Sequence, residues 1–256
     1  MGLFDMFKKK DAVKKESAKA PAVDRKTIFD TDYPLDKSDW KQVFSACLGP
    51  AMVIQNACAE LVVKNRNWNV DLGKGILAFD NDTYPVQFIG SEASQSDSWM
   101  WGWNNINGFD DKILTFVREV HAIGEAWSLE PLTTKSFAMT DELYGHTLAM
   151  VACGITKGKY CYYRGPHAGG AIMMAFSGIA DTVFNPVDMQ NFISTTMNCI
   201  QQFEVNHKIF VESFLIWNGT SYEWNGDKLI AHFVQDLEIS FERAGDVLRI
   251  SGIKSL

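Results

Sequence analysis

Apolar residues recur every three or four positions in four stretches of the chain, which is the spacing of one face of an α-helix. The first stretch follows Asp39, a residue type that caps helices, and runs from Trp40 to Leu61. Its Gly49-Pro50 pair predicts a kinked helix or two abutting helices, because proline has no backbone N–H to donate. The other three helices are predicted at residues 110–127, 140–154 and 188–203.

Alternation of polar and apolar residues predicts β-strands between these helices. The predicted strands before the last helix lie at residues 67–72, 76–79, 84–90, 99–103, 159–164 and 171–176. The first four form a meander, and a glycine-rich loop joins the last two. The C-terminal third is predicted to be rich in strands, since Asn-Gly pairs at residues 218–219 and 225–226 favour hairpin turns. A final hairpin is predicted over residues 237–250.

Together these patterns predict an α+β fold, in which an antiparallel β-sheet of meanders and hairpins is packed on one face by three to four helices. Residues 28–256 contain no stretch of linker-like composition, so they are predicted to form a single α+β domain. Residues 1–27 are rich in Lys, Ala, Ser and Pro and have little to bury, which predicts a flexible basic leader or linker. Because no run of about eighteen apolar residues occurs, no transmembrane segment is predicted.

Charge is unevenly distributed along the 256 residues. The net charge is −7, but residues 1–26 hold eight Lys and Arg against four acids, whereas residues 27–256 hold 16 against 27. The resulting charge of −11 argues against nucleic-acid binding by the folded part, since phosphate contacts need clustered cations. It favours a basic or neutral protein partner. Five widely spaced cysteines and the lack of a secretory signal favour a cytoplasmic protein.

Trp99, Trp101 and Trp103 occupy alternate positions, so a strand would place all three rings on one face. Such a stripe could bind a ligand or a partner, together with Asn104 and Asn105 at the end of the strand. It could equally form the centre of the core. Burial stabilises a fold by about 25 cal/mol per Å² of apolar surface, which favours the core for rings of this size.

Familiar motifs for catalysis and metal binding are absent from the sequence. The five histidines show no HxxxH spacing, no CxxC pair occurs, and neither a phosphate-binding glycine loop nor a GxSxG motif is present, so we predict no metal site and no cofactor. The best catalytic candidates lie within residues 162–170, where Tyr163, Arg164 and His167 offer a phenol, a guanidinium and an imidazole. General acid–base catalysis would require a second group close to the imidazole, and without one these residues form an ordinary polar connection.

Three segments resemble a bacterial family of unknown function that is typified by a W-x-W-x-W-x-N strand. They are residues 68–72, 86–91 and 99–105, and the last carries the tryptophan motif. Residues 148–154 and 162–166 are similar to the second half of the family, so the resemblance covers roughly residues 40–180. It implies a cytoplasmic bacterial protein and brings no reaction, cofactor or catalytic residue.

We therefore expect a non-enzymatic binding or interaction module, such as an immunity-type or regulatory partner of a basic protein, acting through an acidic surface that contains aromatic residues. One alternative is a small hydrolase-type enzyme that uses His167, with Arg164 orienting an anionic substrate. The other is a peripheral membrane adaptor that uses residues 1–15, where Leu3, Phe4 and Phe7 could form the apolar side of a short helix.

Overall fold

A computed structural model describes residues 26–245 and 247–256, and in this part of the chain it has six α-helices and eleven β-strands. The helices are α1 (Trp40–Cys58), α2 (Thr115–Trp127), α3 (Glu130–Thr133), α4 (Gly145–Ile155), α5 (Met189–Gln202) and α6 (His207–Asn218). The strands are β1 (Trp68–Asp71), β2 (Ile76–Phe79), β3 (Asp82–Ala93), β4 (Ser98–Trp101), β5 (Ser136–Ala138), β6 (Cys161–His167), β7 (Gly170–Phe176), β8 (Tyr222–Asn225), β9 (Lys228–His232), β10 (Asp236–Ala244) and β11 (Val247–Ser255). The leader predicted at residues 1–27, and with it the membrane adaptor that would use residues 1–15, lies almost wholly outside the described residues.

Every strand pairing is antiparallel, which confirms the predicted α+β class. The strands divide into two sheets. In the first sheet the strand order is β1-β2-β3-β4-β5, and β7 pairs with both β3 and β6. The second sheet has the order β11-β10-β9-β8.

The long strand β3 organises the first sheet, because different parts of it pair with three neighbours. Asp82–Pro85 pair with β2, and Gly90–Ala93 pair with β4. Val86–Ala93 pair with β7, with an irregularity between Phe88 and Gly90. The C-terminal part of β3 therefore lies between β4 and β7, which brings the tryptophan segment and the Tyr163–His167 segment to the same region of the sheet.

Helix α1 forms the centre of the helical layer and packs against α4, α5 and α6. Asp39 caps it as predicted, accepting a hydrogen bond from the Gln42 N–H at 3.1 Å. Of the two alternatives predicted at Gly49-Pro50, two abutting helices are not formed, since α1 runs through Pro50 as one helix. Gly49 permits this packing, because a Cβ there would lie 2.7 Å from the Phe214 ring of α6.

The apolar character of α1 also bears on membrane insertion. A π-helical turn, Ala59–Val63, directly follows α1. Together they form Trp40–Val63, which among the described residues is the one helical stretch with the length and composition to cross a bilayer. Half of its most apolar window is buried inside the fold. Packing against neighbouring helices accounts for this composition, as in the core helices of many globular proteins.

Two helices differ from the sequence-based predictions. The helix predicted from residue 140 begins at Gly145, because the Thr140 hydroxyl accepts hydrogen bonds from the N–H groups of Glu142 and Leu143 and so closes a turn. Helix α6 was not predicted at all. The first Asn-Gly pair ends this helix instead of forming a hairpin, with Gly219 in the left-handed region at φ 70°.

The strand predictions need smaller corrections. The second Asn-Gly pair joins β8 to β9 as predicted, and the last hairpin is formed by β10 and β11. The glycine-rich connection is shorter than predicted, because β6 continues to His167 and only Ala168-Gly169 separate it from β7. The tryptophan strand ends at Trp101, since Gly102–Asn104 form a 3₁₀ turn.

Candidate functional site

The tryptophan segment lies mostly in the core. Trp99 and Trp101 are 0% and 1% exposed, and their rings meet edge to face at 5.1 Å between centroids. The Trp101 indole N–H donates to the Pro131 carbonyl at 2.8 Å. This burial leaves no ring surface of these two tryptophans for a ligand, and it gives the fold the large apolar burial expected of such side chains.

Trp103 lies outside β4, so the three rings do not alternate along one strand as predicted. The 3₁₀ turn that begins at Gly102 redirects Trp103, and its partly buried ring lies 4.1 Å from the His121 ring. The two asparagines have local roles. Asn105 accepts from the Phe109 N–H at 2.7 Å and donates to the Phe109 carbonyl at 3.1 Å, and the Asn104 amide lies 3.8 Å from the sulfur of Met100.

The three catalytic candidates are not brought together by the structure. His167 is exposed at the end of β6, where its Nδ1 accepts from the Gly169 N–H at 3.1 Å, and no carboxylate of the described residues forms an ion pair with it. Tyr163 packs edge to face on Phe79 at 5.1 Å. Arg164 binds a different residue, Glu92. No carboxylate of the described structure is therefore paired with His167 as the second group of an acid–base mechanism.

The buried carboxylate of Glu92 forms an ion pair with the partly exposed side chain of Arg164. Both the Nε and an Nη atom of Arg164 lie 2.8 Å from the Glu92 Oε2. The Glu92 side chain is 8% exposed, and its Oε1 accepts a hydrogen bond from the Gly145 N–H at 3.0 Å. Because Gly145 is the first residue of α4, the carboxylate stabilises the positive end of the helix as well as the guanidinium.

Burial favours the neutral forms of two side chains near this ion pair, because it shifts their pKa values away from the charged state. Burial lowers the pKa of His146, with Glu92 opposing and Arg164 adding to the effect. Burial also raises the pKa of Tyr144, and the nearby charge of Glu92 raises it further. The His146 Nδ1 lies 3.1 Å from the Tyr162 hydroxyl, so the imidazole is held by a hydrogen bond within the fold.

One cavity opens beside the ion pair, and Asp141 lines both this cavity and a second one. The first is about 470 Å³ and includes Glu92, Asp97 and Asp141 in its lining. The second is about 310 Å³ and includes Asp141, Glu142 and Glu204. We call these five carboxylates, Glu92, Asp97, Asp141, Glu142 and Glu204, the acidic face.

Only two of these carboxylates are neutralised by cations of the described chain. Glu92 pairs with Arg164, and Glu204 pairs with Lys41 at 2.7 Å. Asp97, Asp141 and Glu142 are exposed, and none forms an ion pair with another described residue. The acidic face therefore presents three uncompensated negative charges around two concave openings.

An aromatic wall lies beside these charges in the second cavity. Trp40 and Phe44 stack with their rings 6.3 Å apart and only 9° from parallel, and Phe203 meets Phe44 edge to face at 5.6 Å. Trp40 is partly exposed. Carboxylates next to aromatic faces are suited to bind cations, because the π-system attracts positive charge.

The residues of the acidic face were not singled out by their sequence pattern. The signal that could have identified Glu92 is its position close to a predicted strand, because an acid that is buried there requires a partner. Asp141 and Glu142 were assigned to the first turn of a helix that begins later. Within residues 26–245 and 247–256, no group of three His, Cys, Asp or Glu side chains is arranged to hold a metal ion.

Comparison with known proteins places the chain in a family without assigning it an activity. A family model described as "Family of unknown function (DUF6882)" matches residues 41–179, which is slightly more than half of the chain. Among the curated proteins and the solved structures, no match to this chain was found. The match confirms the resemblance to a family of unknown function, while the bacterial origin implied by that resemblance stays a prediction.

Proposed function

We propose that this chain, which belongs to DUF6882, a family of unknown function, is a non-enzymatic interaction module that binds cationic side chains of a basic protein at its acidic face. The observation that carries the proposal is the position of Asp141. This exposed, unpaired carboxylate lines both cavities of the acidic face and so joins them into one negatively charged surface.

Charge supports a basic partner at two levels. Locally, no Lys or Arg of the described residues forms an ion pair with Asp97, Asp141 or Glu142, so a partner would supply the positive charge. Globally, residues 27–256 carry a net charge of −11, which attracts a basic partner over a distance of about one Debye length. Electrostatic complementarity of this kind mainly raises the association rate and the specificity.

The aromatic wall supports arginine in particular as the side chain that binds. A guanidinium is planar, so it can stack on the exposed part of Trp40 while donating hydrogen bonds to Asp141 or Glu142. Because Asp141 lines both cavities, the acidic face offers one cavity to each of two neighbouring basic residues of the partner. A regulatory or immunity-type role follows naturally, in which the acidic face of a cytoplasmic protein masks a functional basic surface of its partner.

Binding of a fluorescent oligo-arginine peptide to the full chain tests the proposal, with anisotropy measured at low and at physiological salt. We expect saturable binding that weakens with salt. The triple variant Asp97→Asn, Asp141→Asn, Glu142→Gln should weaken binding by about tenfold or more, since each lost charge contact contributes about 0.5–1 kcal/mol.

A matched variant distinguishes binding at the acidic face from an effect of the overall net charge. Glu60→Gln, Glu223→Gln and Glu242→Gln remove the same number of exposed acids, and none of the three forms an ion pair with a described residue. This variant should bind the peptide within about twofold of the unmodified chain. Equal weakening by both triple variants would show that only the overall charge matters, and the proposal would then be wrong.

A further inference from the structure

A third cavity, of about 550 Å³, lies apart from the acidic face, between α1, α4 and the segment that precedes α1. Its volume falls in the range of about 300–1,000 Å³ that is usual for small-molecule sites. The apolar part of its lining includes Phe29, Pro50, Ile54, Trp127, Phe184 and Trp217. Such a lining offers an apolar chain both aliphatic and aromatic contacts.

The charges of this cavity are opposite in sign to those of the acidic face. Lys37, Lys157 and Lys159 line it, and no Asp or Glu does. Lys159 is neutralised by Asp181 at 2.7 Å. Lys37 and Lys157 form no ion pair with any carboxylate of the described residues.

Lys37 is held over aromatic rings and forms no direct ion pair, while the carboxylate of Asp30 lies close enough for the two charges to interact. Its ammonium lies 5.3 Å from the centroid of the Trp127 ring and 5.9 Å from that of Phe29. Cation–π contacts leave the hydrogen-bond donors of an ammonium free for an anion. The cavity therefore combines an apolar interior with two lysines that form no salt bridge with a described carboxylate.

We propose that this cavity binds an amphipathic carboxylate of the fatty-acid class, with the alkyl chain among the apolar side chains and the carboxylate at Lys37 and Lys157. A ligand of this class matches both features at once. An apolar molecule without a charge would leave the two lysines unused, and a cationic amphiphile would be repelled by them. The site is independent of the acidic face, because it shares no lining residue with either of those cavities.

Titration of the full chain with dodecanoate, below its micellar concentration, tests this proposal. A bound fluorescent polyunsaturated fatty acid serves as the reporter, so that only ligands competing for the same site are counted. We expect one saturable site, and affinity that rises by about fourfold for each methylene between octanoate and dodecanoate, which is the equivalent of about 0.8 kcal/mol. In the competition assay, the affinity of dodecylamine should be lower than that of dodecanoate by about tenfold or more.

Variants distinguish the two parts of the ligand. The double variant Lys37→Glu, Lys157→Glu should weaken dodecanoate binding while removing its advantage over dodecylamine. Ile54→Glu should weaken binding by placing a carboxylate in the apolar interior. The double variant Lys135→Glu, Lys254→Glu changes two exposed lysines outside the cavity; it is the charge-matched control and should bind as the unmodified chain does. Thermal unfolding followed by circular dichroism verifies that each variant is folded.

Three outcomes would overturn the proposal. The first is no saturable binding of any fatty acid to the full chain. The second is equal binding of dodecanoate and dodecylamine, which would show an apolar crevice without recognition of the head group. The third is binding that occurs only after removal of residues 1–25, which would show that the N-terminal part of the chain, and not a carboxylate, occupies the cavity.

Discussion

Glu212 is a buried carboxylate that joins three parts of the chain. It lies in α6 with 0% exposure, accepts hydrogen bonds from the Tyr33 N–H at 3.0 and 3.2 Å, and accepts one from the Trp224 indole N–H at 2.7 Å. The Tyr222 hydroxyl donates to it at 3.3 Å. Burial raises the pKa of Glu212, while the hydrogen bonds from Tyr33 and Trp224 partly oppose that rise.

The direction of this pKa shift predicts how Glu212 affects stability. The folded pKa lies above the ordinary value of 4.5, so the folded state binds the proton more tightly than the unfolded state. This tighter proton binding adds to the free energy of unfolding. The added stability is fully present below pH 4.5 and is lost as the pH rises through the folded pKa of Glu212.

Urea denaturation at several pH values tests this prediction by comparing the unmodified chain with Glu212→Gln. The stability of the variant relative to the unmodified chain should increase as the pH rises from 4.5 to neutral, because the amide carries no charge to bury. Glu223→Gln, which removes an exposed carboxylate of β8, is the control variant. A pH-independent difference for Glu212→Gln would contradict the assignment of a raised pKa.

Individual site residues could be predicted from the sequence only in part. Arg164 was selected from the sequence as a candidate site residue, whereas Glu92, its ion-pair partner 72 positions away, was not. Proximity of this kind depends on the pairing of β3 with β7 and of β7 with β6, which no local pattern specifies. His167 was selected for its chemistry, but the extension of β6 leaves it at an exposed strand end.

At the scale of elements, the contact between α1 and α6 depends on a glycine. A Cβ at Gly49 would lie 2.7 to 3.0 Å from three atoms of the Phe214 side chain, and both residues are buried. The Phe214 ring is also packed on Phe192 of α5, with 4.5 Å between ring centroids, so it cannot move away freely. Protein interiors are packed densely, and an added methyl group at such a contact causes strain.

Gly49→Ala should therefore destabilise the fold by about 1–3 kcal/mol, in spite of the higher helix propensity of alanine. Chemical denaturation followed by circular dichroism measures this change. Gly252→Ala in β11 is the matched control, since a Cβ there meets no atom within 4 Å and should change stability by less than about 0.5 kcal/mol. A Gly49→Ala variant as stable as this control would show that the two helices have room to separate.

The elements that the sequence predicted correctly are those with a long periodic pattern and a clear boundary residue. Asp39 and Asp188 cap α1 and α5, as their positions before apolar repeats indicate. Helix α6 was missed because Asn218-Gly219 supplies the positive φ that both a hairpin turn and a helix end require. Asn206, which caps α6 through the Lys208 and Ile209 N–H groups, was the signal that could have identified it.

At the scale of the whole molecule, the family match and the packing have different boundaries. The match ends at residue 179, before α5, α6 and the second sheet. Helix α1 lies inside the match but packs against α5 and α6, and Phe44 contacts Phe203 beyond it. Buried residues from both parts belong to one hydrophobic cluster, including Val43 and Leu48 on one side and Phe210 on the other.

This continuity predicts that the matched segment does not fold by itself. A fragment ending at residue 179 would expose the side of α1 that α6 covers, and thereby return to water the apolar surface whose burial stabilises the fold. We expect the fragment to lack a cooperative unfolding transition and to bind a hydrophobic dye, whereas the full chain should unfold cooperatively. Calorimetry and the dispersion of amide NMR signals measure the difference.

A fragment with sharp, dispersed signals and its own cooperative transition would show that residues 41–179 are an independent domain. The prediction of a single domain over residues 28–256 would then be wrong.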